Sequence, residues 1–250
     1  MNDSNRRILA IGGDDRRDFL QGLVTNDVPS DPGNLRYSAL LSPQGKYLCD
    51  FMMLEQDDTL FLDAPAVLFD DLVKRLTMYR LRRKVTLSEA DIGLHRGTGP
   101  APAGALADPR HPALGWRLYG NGTTDNSDFN AIRVQHLIPE AISELIPNDS
   151  YILEFGFETL NGVDFRKGCY VGQEVTARMK HKIDLKKGLG RVRIIGSSGS
   201  EPELGSEILA DGKPAGRLGT RSGDRALAWL RFNRATGVMH AGETELTLDT

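Results

Sequence analysis

The most specific stretch of this chain is the eight-residue run Lys167-Gly168-Cys169-Tyr170-Val171-Gly172-Gln173-Glu174. One cysteine stands between glycines, Arg166 and Lys167 precede it, and the residues that follow look like the start of a helix. Cationic neighbours and the N–H groups of a helix N-terminus both favour thiolate over thiol. A thiolate is a nucleophile, a metal ligand and an oxidation target. The alternative for Cys169 is a buried, inert cysteine in a tight turn.

A second candidate is Glu154, which lies in the apolar segment YILEFGF, residues 151–157, here predicted to be a strand. A carboxylate buried among apolar side chains needs a charged partner or a ligand that donates hydrogen bonds. An aminopyrimidine ring fits, because its ring N–H and exocyclic NH₂ present two parallel donors to one carboxylate. The alternative is an edge strand that leaves Glu154 on its solvated face.

A third candidate is the pair Cys49-Asp50, which the alternation of a strand places on opposite faces. Cys49 is predicted to be a core cysteine. Asp50 is either a carboxylate that faces a ligand or a charge on the sheet surface. Two distant cysteines make no disulfide framework, and by themselves they cannot hold a four-thiolate metal or cluster site.

Two basic clusters complete the candidates, and either could contact a polyglutamate tail, a phosphate backbone or an acidic partner. The alternative for each is a solvated charged face. No aromatic stacking pattern is interleaved with the cations, so single-stranded nucleic acid is not favoured. The first cluster is Lys74, Arg75, Arg80, Arg82, Arg83 and Lys84, and the second is Arg178, Lys180, His181, Lys182, Lys186 and Lys187.

Composition narrows the class of protein. The 250 residues are 40% hydrophobic and carry a net charge of -3, which is ordinary for a globular protein and favours neither nucleic acid nor an anionic membrane as a direct partner. No apolar run approaches the ~20 residues of a membrane span. The histidines lack metal-ligand spacing, so no metal site is predicted. Without a targeting pattern or a heptad repeat, we expect a cytoplasmic monomer.

The chain reads as an α+β body followed by a small all-β domain. Strands are predicted at 6–11, 37–41 and 46–54, with helices from Pro65, from Pro139 and over 172–181. Residues 96–108 are rich in Gly, Pro and Ala and predict a connector between subdomains. After Lys187, short strands alternate with turns, which is typical of a barrel or sandwich. The predicted domains are therefore 1–187 and 188–250.

Residues 167–174 resemble the signature of the YgfZ family of folate-binding proteins, which is related to mitochondrial iron–sulfur assembly factors of the same fold. The similarity extends over most of the chain. Residues 19–27 resemble the first helix and the Thr-Asn-Asp corner of the glycine-cleavage T-protein superfamily, and residues 37–50 its central hairpin. Residues 153–156 are similar to the strand whose glutamate holds the pterin ring, and the tail resembles the family's C-terminal barrel.

The resemblance implies a glycine-cleavage T-protein-like folate-binding fold with a C-terminal small β-barrel, packed around a central folate-sized opening. It implies tetrahydrofolate or a folate derivative as cofactor, with Glu154 as pterin anchor and Tyr37 lining the site. It also implies a functional thiol at Cys169. The motif residues that accompany this thiol are Lys167, Gly168, Tyr170, Gly172, Gln173, Glu174 and Arg178.

One departure from the superfamily bears on catalysis. In the aminomethyltransferase branch the central hairpin carries two consecutive aspartates, of which the first is catalytic. Here these positions are Cys49 and Asp50. Glycine-cleavage activity is therefore not expected, and whether the protein is an enzyme stays open, since a fold does not determine a function.

Three functions follow as hypotheses. The first is a tetrahydrofolate-binding accessory protein for iron–sulfur cluster assembly or repair, which uses Cys169 and supports cluster enzymes, including those that modify tRNA. Its partners would be iron–sulfur proteins or cluster-assembly factors. The second is a folate-dependent one-carbon transferase or demethylase, with Asp50 as its acid. The third is a folate-independent adaptor that docks partners through the basic clusters.

Overall fold

The structure is a computed structural model that describes residues 5–31, 33–181, 185–197 and 202–249. Lys182 of the second basic cluster lies outside these residues. Short 3₁₀ helices occur at Pro112–Leu114 and Ile152–Phe155. The strands and α-helices, in chain order, are β1 (Arg6–Gly12), α1 (Arg16–Gln21), β2 (Arg36–Leu41), β3 (Tyr47–Gln56), β4 (Thr59–Pro65), α2 (Ala66–Arg80), β5 (Thr86–Ala90), β6 (Leu94–Gly97), β7 (Leu106–Ala107), β8 (Trp116–Tyr119), α3 (Phe129–His136), α4 (Gln173–Lys180), β9 (Lys187–Ser197), β10 (Glu207–Ala210), β11 (Lys213–Ser222), β12 (Arg225–Arg231), β13 (Met239–Ala241) and β14 (Thr244–Leu248).

The chain divides into two compact units. Unit 1 comprises residues 1–127 and 158–177, and unit 2 comprises residues 128–157 and 178–250. This division differs from the predicted boundary near Lys187, because residues 128–157 group with the C-terminal residues. The status of 188–250 as a separate domain therefore stays a prediction.

Unit 1 is built on an antiparallel five-stranded sheet of order β2-β3-β4-β1-β5. The predicted β2–β3 hairpin is confirmed, and its turn closes with a 2.8 Å hydrogen bond from the Gly45 N–H to the Ser42 carbonyl. Gly45 has a φ of +73°, which suits glycine at the end of such a turn. Helix α2 begins after Pro65, as predicted, and buries Leu68, Phe69, Leu72 and Leu76.

A small three-stranded sheet of order β6-β8-β7 completes the strands of unit 1. Most of the predicted connector, residues 96–108, forms the link from β6 to β7 within this one sheet. Its role as a boundary between subdomains stays a prediction. No helix in the described part of the chain combines the length and the apolar composition that a membrane crossing requires.

Unit 2 contains the predicted β-barrel, which is closed in the order β10-β11-β12-β9-β14-β13. All its strand pairs are antiparallel, as even spacing between short strands and tight turns requires. The barrel interior is aliphatic, with Val192, Ile208, Leu218, Leu230 and Leu246 among its buried side chains. The sequence pattern predicts strands at 189–195, 207–209, 216–220, 225–230 and 243–248, which correspond to five of these six strands, and it does not predict β13.

Two predicted elements of unit 2 are wrong. Residues 151–157 do not form a strand: they form a 3₁₀ turn, in which the Glu154 N–H donates to the Tyr151 carbonyl at 3.0 Å and Gly156 takes a φ of +73°. No helix starts at Pro139, because Ile142 has a φ of +68° and the chain turns there. The helix of this region is α3, eight residues long and capped by the Asp128 carboxylate.

Candidate functional site

The segment that carries the cysteine motif is hydrogen-bonded to the Thr25-Asn26 corner after α1. The Thr25 hydroxyl donates to the Gly162 carbonyl at 2.7 Å, and the Asn26 amide donates to the Asn161 carbonyl at 2.8 Å. In return the Asp164 N–H donates to the Thr25 carbonyl at 3.0 Å. The corner is itself bound to β2, where the Ala39 N–H donates to the Thr25 hydroxyl at 2.9 Å. These hydrogen bonds fix the segment before the cysteine motif to the Thr25-Asn26 corner and, through it, to β2.

Lys167 is the strongest anchor of the motif. Its buried ammonium donates to three backbone carbonyls at and just after the end of α1, those of Gln21 at 2.9 Å, Val24 at 2.5 Å and Asn26 at 3.0 Å. These three bonds use all three protons of the ammonium. The Tyr170 ring lies 5.2 Å from the same nitrogen, in cation–π range. Burial lowers the pKa of Lys167 to about 8, against the opposing effect of nearby carboxylates.

Gly172 allows the motif to pack against the β2–β3 hairpin. It has a φ of +83°, and a Cβ atom there would lie 2.6 Å from the Ser42 carbonyl oxygen. The contact is reciprocal, since a Cβ on Gly45 would lie 2.7 Å from the Val175 Cβ. Two glycines facing each other thus bring the hairpin and the start of α4 into direct contact.

Cys169 is exposed to solvent, which excludes the alternative of a buried cysteine. Its neighbours Lys167 and Tyr170 are buried. Gly168, directly before it, has open space, because a Cβ there would meet nothing within 4 Å. Helix α4 begins at Gln173, four residues after Cys169, and the predicted effect of its N-terminus on the thiol stays a prediction. Cys169 is therefore exposed within a motif whose neighbouring side chains are buried.

The remaining motif residues lie on α4. Gln173 and Glu174 form its first turn, and Arg178 lies one turn further on. Glu174 and Arg178 are exposed, whereas Thr176 is buried and donates to the Gly172 carbonyl at 3.2 Å. The helix thus continues the anchored segment, and its polar residues lie on the surface.

Tyr37 and Asp50 are brought together in the interior of unit 1. The Tyr37 hydroxyl donates to Asp50 Oδ2 at 3.0 Å, and the Tyr47 hydroxyl donates to Oδ1 at 2.6 Å. Both tyrosines are fully buried, and Asp50 is 3% exposed, which excludes a surface charge. Cys49 is a core cysteine, as predicted, and burial together with Asp50 raises the pKa of its thiol. The ligand-facing roles predicted for Tyr37 and Asp50 stay predictions.

A buried ionic network lies beside this pair and was missed from the sequence. The Arg117 guanidinium bridges Asp63 at 2.7 Å and Asp108 at 2.9 Å. Arg6 pairs with Asp63 at 2.6 Å, and Arg110 pairs with Asp108 at 2.8 Å. Arg110 also lies 5.5 Å from the Tyr37 ring centroid. Each carboxylate is matched by guanidiniums, as burial of charge requires.

In unit 2, Glu154 is half-buried and has a partner that the sequence pattern did not indicate. The Trp229 indole N–H donates to Glu154 Oε2 at 2.9 Å. Among the described residues, no hydrogen bond reaches the other oxygen, Oε1. Lys187 and Arg231 lie 5.5 Å and 6.0 Å from the Trp229 ring centroid. The carboxylate is thus oriented on one side and open to a donor on the other.

A cleft of about 430 Å³ lies in unit 1, lined by Pro100, Pro102, Trp116, Leu118 and Asp125 among others. No predicted site residue lines it. Hydrogen bonds from Ser127 and from the Gly99 and Thr98 N–H groups outweigh burial and lower the pKa of Asp125 to about 2, so this carboxylate is already engaged. Within the described ranges, no three His, Cys, Asp or Glu side chains are grouped so that they could hold a metal ion.

Comparison with known proteins places this geometry in a family. The chain is 31% identical to "Iron-sulfur cluster assembly factor IBA57, mitochondrial" of Mus musculus, an alignment that covers 97% of this chain and 80% of the mouse protein. It is 30% identical to the Homo sapiens protein of the same name, over 96% of this chain and 79% of the human protein. This chain belongs to the IBA57 family of iron–sulfur cluster assembly factors.

The IBA57 assignment agrees with the fold. Residues 186–250 match the family described as CAF17, C-terminal beta-barrel domain. A solved glycine cleavage system aminomethyltransferase T from Bartonella henselae superposes with a TM-score of 0.76, at 10% identity, over all of this chain and 84% of that one. The predicted T-protein-like fold with a C-terminal barrel is therefore confirmed.

The IBA57 relatives also correct one prediction. The expected cytoplasmic location is contradicted, because these relatives are named as mitochondrial proteins. That expectation rested on the lack of a recognised targeting pattern, and a missing pattern is not a positive signal for any compartment.

Proposed function

We propose that this protein is a tetrahydrofolate-binding accessory factor for iron–sulfur cluster assembly or repair, of the YgfZ type within its wider superfamily. The observation that carries the proposal is the exposed Cys169, next to motif residues that are fixed by contacts within unit 1. Lys167 binds three carbonyls, Tyr170 packs on Lys167, and Gly172 contacts the hairpin. A thiol that is exposed while its neighbours are fixed by these contacts is suited to react or to bind a metal ion.

The chemistry available to Cys169 is that of a single ligand. Clusters are held by several thiolates, so one cysteine completes a cluster only together with ligands of a partner. In the proposed exchange, the Cys169 thiol gives its proton to solvent and binds iron, while a thiolate of the partner leaves that iron and takes up a proton. The partners would be iron–sulfur proteins or other assembly factors, including those that serve tRNA-modifying enzymes, and the protein would act as a monomer without binding nucleic acid itself.

Replacing Cys169 tests this part of the proposal. We expect Cys169→Ala to fail to restore cluster-enzyme activity in cells that lack the protein, and to fail to take up a cluster from a loaded partner, as followed by visible absorbance. Cys49→Ala is the matched control, because it removes the buried thiol and leaves Cys169 in place. Full complementation by Cys169→Ala would exclude the thiol role.

The folate part of the proposal is supported by Glu154. Its oxygen Oε1 is open to a donor, and Trp229 holds the rest of the carboxylate in place. A charged hydrogen bond to an aminopyrimidine edge would be strong at this half-buried position. When bound, tetrahydrofolate would supply a one-carbon carrier, and the role of the chain is to bind and orient its pterin ring. Tyr37, fully buried and bonded to Asp50, offers no comparable group as it stands.

Calorimetric titration of tetrahydrofolate into the protein tests the anchor. We expect micromolar binding by the native chain and an affinity lower by about tenfold, or ~1.4 kcal/mol, in Glu154→Gln. Glu158→Gln is the matched control, since Glu158 is exposed and lies outside the 3₁₀ turn. No heat from the native chain would refute folate binding while leaving the test of Cys169 intact.

The one-carbon transferase alternative is disfavoured by the surroundings of Asp50. Both of its oxygens accept hydrogen bonds from buried tyrosines, and Cys49 beside it is buried too. An acid that serves a substrate must reach the reacting atoms. Turnover of methylated amines with tetrahydrofolate, abolished in Asp50→Asn, would restore this alternative.

A further inference from the structure

The surface at the end of α2 is strongly basic, in contrast to the chain as a whole. Residues 74–84 contain six cations and no carboxylate, although the net charge of the protein is -3. We refer to these residues as the α2 basic surface. Its cations are Lys74, Arg75, Arg80, Arg82, Arg83 and Lys84.

Most of these cations have no carboxylate partner. Arg75 pairs with Asp71 one turn before it at 2.6 Å, and Lys84 lies 3.8 Å from Asp14 with both side chains exposed. The other four form no ion pair with any residue in the described ranges; they are Lys74, Arg80, Arg82 and Arg83. A concentration of unpaired like charge destabilises the free protein by self-repulsion, so its presence calls for an opposite charge from outside.

Two large apolar side chains lie in the middle of this positive surface. Met78 is 67% exposed and Leu81 is 85% exposed. Met78 lies in the last turn of α2, away from the buried residues of that helix, and Leu81 directly follows the helix end at Arg80. Exposed side chains of this size surrounded by charge are typical of interaction sites.

The backbone at Leu81 adds an independent sign of function. Its φ of +48° is positive, a backbone conformation that glycine adopts readily and in which a leucine is strained. Strained backbone conformations cluster at functional sites, where the side chain that causes the strain is needed for a contact. Glycine would relieve the strain but would remove the most exposed leucine of the described surface.

We propose that the α2 basic surface is the docking site for an acidic segment of a partner protein, which lays apolar side chains on Met78 and Leu81. Charge complementarity carries this choice of partner: carboxylates would pair with the unpaired cations around an apolar centre. The proposal does not depend on the thiol or folate roles, since none of its residues belongs to the cysteine motif or lies near Glu154 in the sequence.

Other anionic partners fit less well. Single-stranded nucleic acid binds through stacking on exposed aromatic rings, but Phe69 is buried and Tyr79 is half-buried. An anionic membrane favours a helix with a broad apolar face and cations on its polar side, whereas α2 exposes Asp70 and Asp71 beside its few apolar residues. An acidic peptide with interspersed apolar residues matches both features of the surface.

The test uses the full chain and a fluorescein-labelled peptide of about 15 residues, built from Glu and Leu with leucines at helix spacing. Anisotropy titrations at about 0.05 and 0.15 M salt measure its affinity. We expect micromolar binding that weakens with salt, and about a tenfold loss in Arg82→Glu/Arg83→Glu. The matched control is Lys213→Glu/Arg234→Glu, which changes net charge equally at exposed positions in unit 2.

Leu81→Gly separates docking from structure. It is expected to bind the peptide about fivefold or more weakly, yet to be at least as resistant to urea as the native chain, because it relieves the strain at φ +48°. Each variant is also titrated with tetrahydrofolate, whose affinity should not change. Equal losses in the unit 2 control, or an unchanged affinity in Leu81→Gly, would overturn the proposal. So would tighter binding of an oligothymidylate or of phosphatidylserine vesicles than of the peptide.

Discussion

At the scale of single residues, Lys167 shows how a buried charge can hold the cysteine motif in place. Its ammonium donates to the carbonyls of Gln21, Val24 and Asn26, at and just after the point where the regular hydrogen bonds of α1 end. A buried carbonyl without a donor destabilises the fold, and so does a buried ammonium without acceptors. The three hydrogen bonds offset both costs. The neighbouring Cys169 gains a fixed position as a result.

We predict that Lys167→Met lowers the free energy of unfolding by about 2–4 kcal/mol, because three buried acceptors lose a charged donor while the side-chain volume is kept. Urea denaturation provides the measurement. Arg166→Ala is the matched control: its side chain is 95% exposed, so the change should stay within about 0.5 kcal/mol. Equal effects of the two substitutions would contradict the anchoring role.

At the scale of elements, the cysteine motif depends on a glycine contact between the β2–β3 hairpin and the start of α4. A methyl group at Gly172 would meet a backbone carbonyl, which cannot move aside as a side chain can. Its positive φ adds strain for any other residue. The nearby Gly168 has open space around it. Close packing therefore requires glycine at position 172 but not at position 168.

Alanine at each glycine separates these reasons. Gly172→Ala should lower the melting temperature clearly, with a loss of about 2 kcal/mol or more from the clash and the left-handed backbone. Gly168→Ala should leave stability within about 0.5 kcal/mol. Differential scanning calorimetry measures both melting temperatures. A lower melting temperature in Gly168→Ala together with an unchanged one in Gly172→Ala would contradict the contact at Gly172.

The buried ionic network links β1, β4 and β8, and it makes unit 1 sensitive to acid. Burial by itself would raise the pKa of Asp63, but Arg6 and Arg117 outweigh it and hold the pKa below its ordinary value. The same balance, with Arg110 and Arg117, places the pKa of Asp108 far below its ordinary range. A carboxyl with a depressed folded pKa stabilises the fold above its unfolded pKa of about 4 and loses this contribution as pH falls below it.

We therefore expect the stability of unit 1 to be constant from about pH 7 to 5 and to fall steeply below about pH 4. Trp116 fluorescence in a Trp229→Phe background reports unit 1 during urea unfolding. Asp108→Asn should be weaker at neutral pH by roughly 3–5 kcal/mol, because Arg110 and Arg117 lose a buried partner, and its stability should depend less on acid. An acid dependence identical to that of the native chain would refute the assignment.

At the scale of the whole molecule, the barrel depends on residues that precede it by many positions. Glu144 accepts from the Thr220 N–H at 2.6 Å and its carbonyl accepts from Arg217 at 3.0 Å. Arg191 donates to the Gln135 carbonyl at 2.9 Å, and Trp229 donates to Glu154. Unit 2 is therefore a barrel together with residues 128–157, although the barrel strands are consecutive in sequence.

This organisation predicts that the isolated fragment 188–250 is much less stable than unit 2 of the full chain. The four hydrogen bonds above contribute about 1 kcal/mol each, so we expect a melting temperature lower by at least about 15 °C for a domain of this size. Circular dichroism of the fragment, compared with Trp229 fluorescence of the full chain, measures the difference. Equal melting temperatures would favour the boundary near Lys187 instead.

Features written in a few neighbouring residues could be predicted from the sequence alone. The turn at Ser42–Gly45, the start of α2 after Pro65 and the evenly spaced barrel strands follow from local backbone preferences. The cysteine motif was also visible, because its residues are contiguous. These rules act over a few residues and hold in almost any tertiary context.

What only the tertiary structure decided is how each polar group is satisfied once it is buried. Lys167 bonds to carbonyls more than 140 positions earlier, Arg117 reaches Asp63 across 54 positions, and Trp229 reaches Glu154 across 75. The apolar run around Glu154 predicted a strand, but a 3₁₀ turn formed because Gly156 took a left-handed conformation. No local pattern specifies such partners, since they depend on which distant segments the core brings together, and the cost of leaving a buried charge or carbonyl unpaired selects among them.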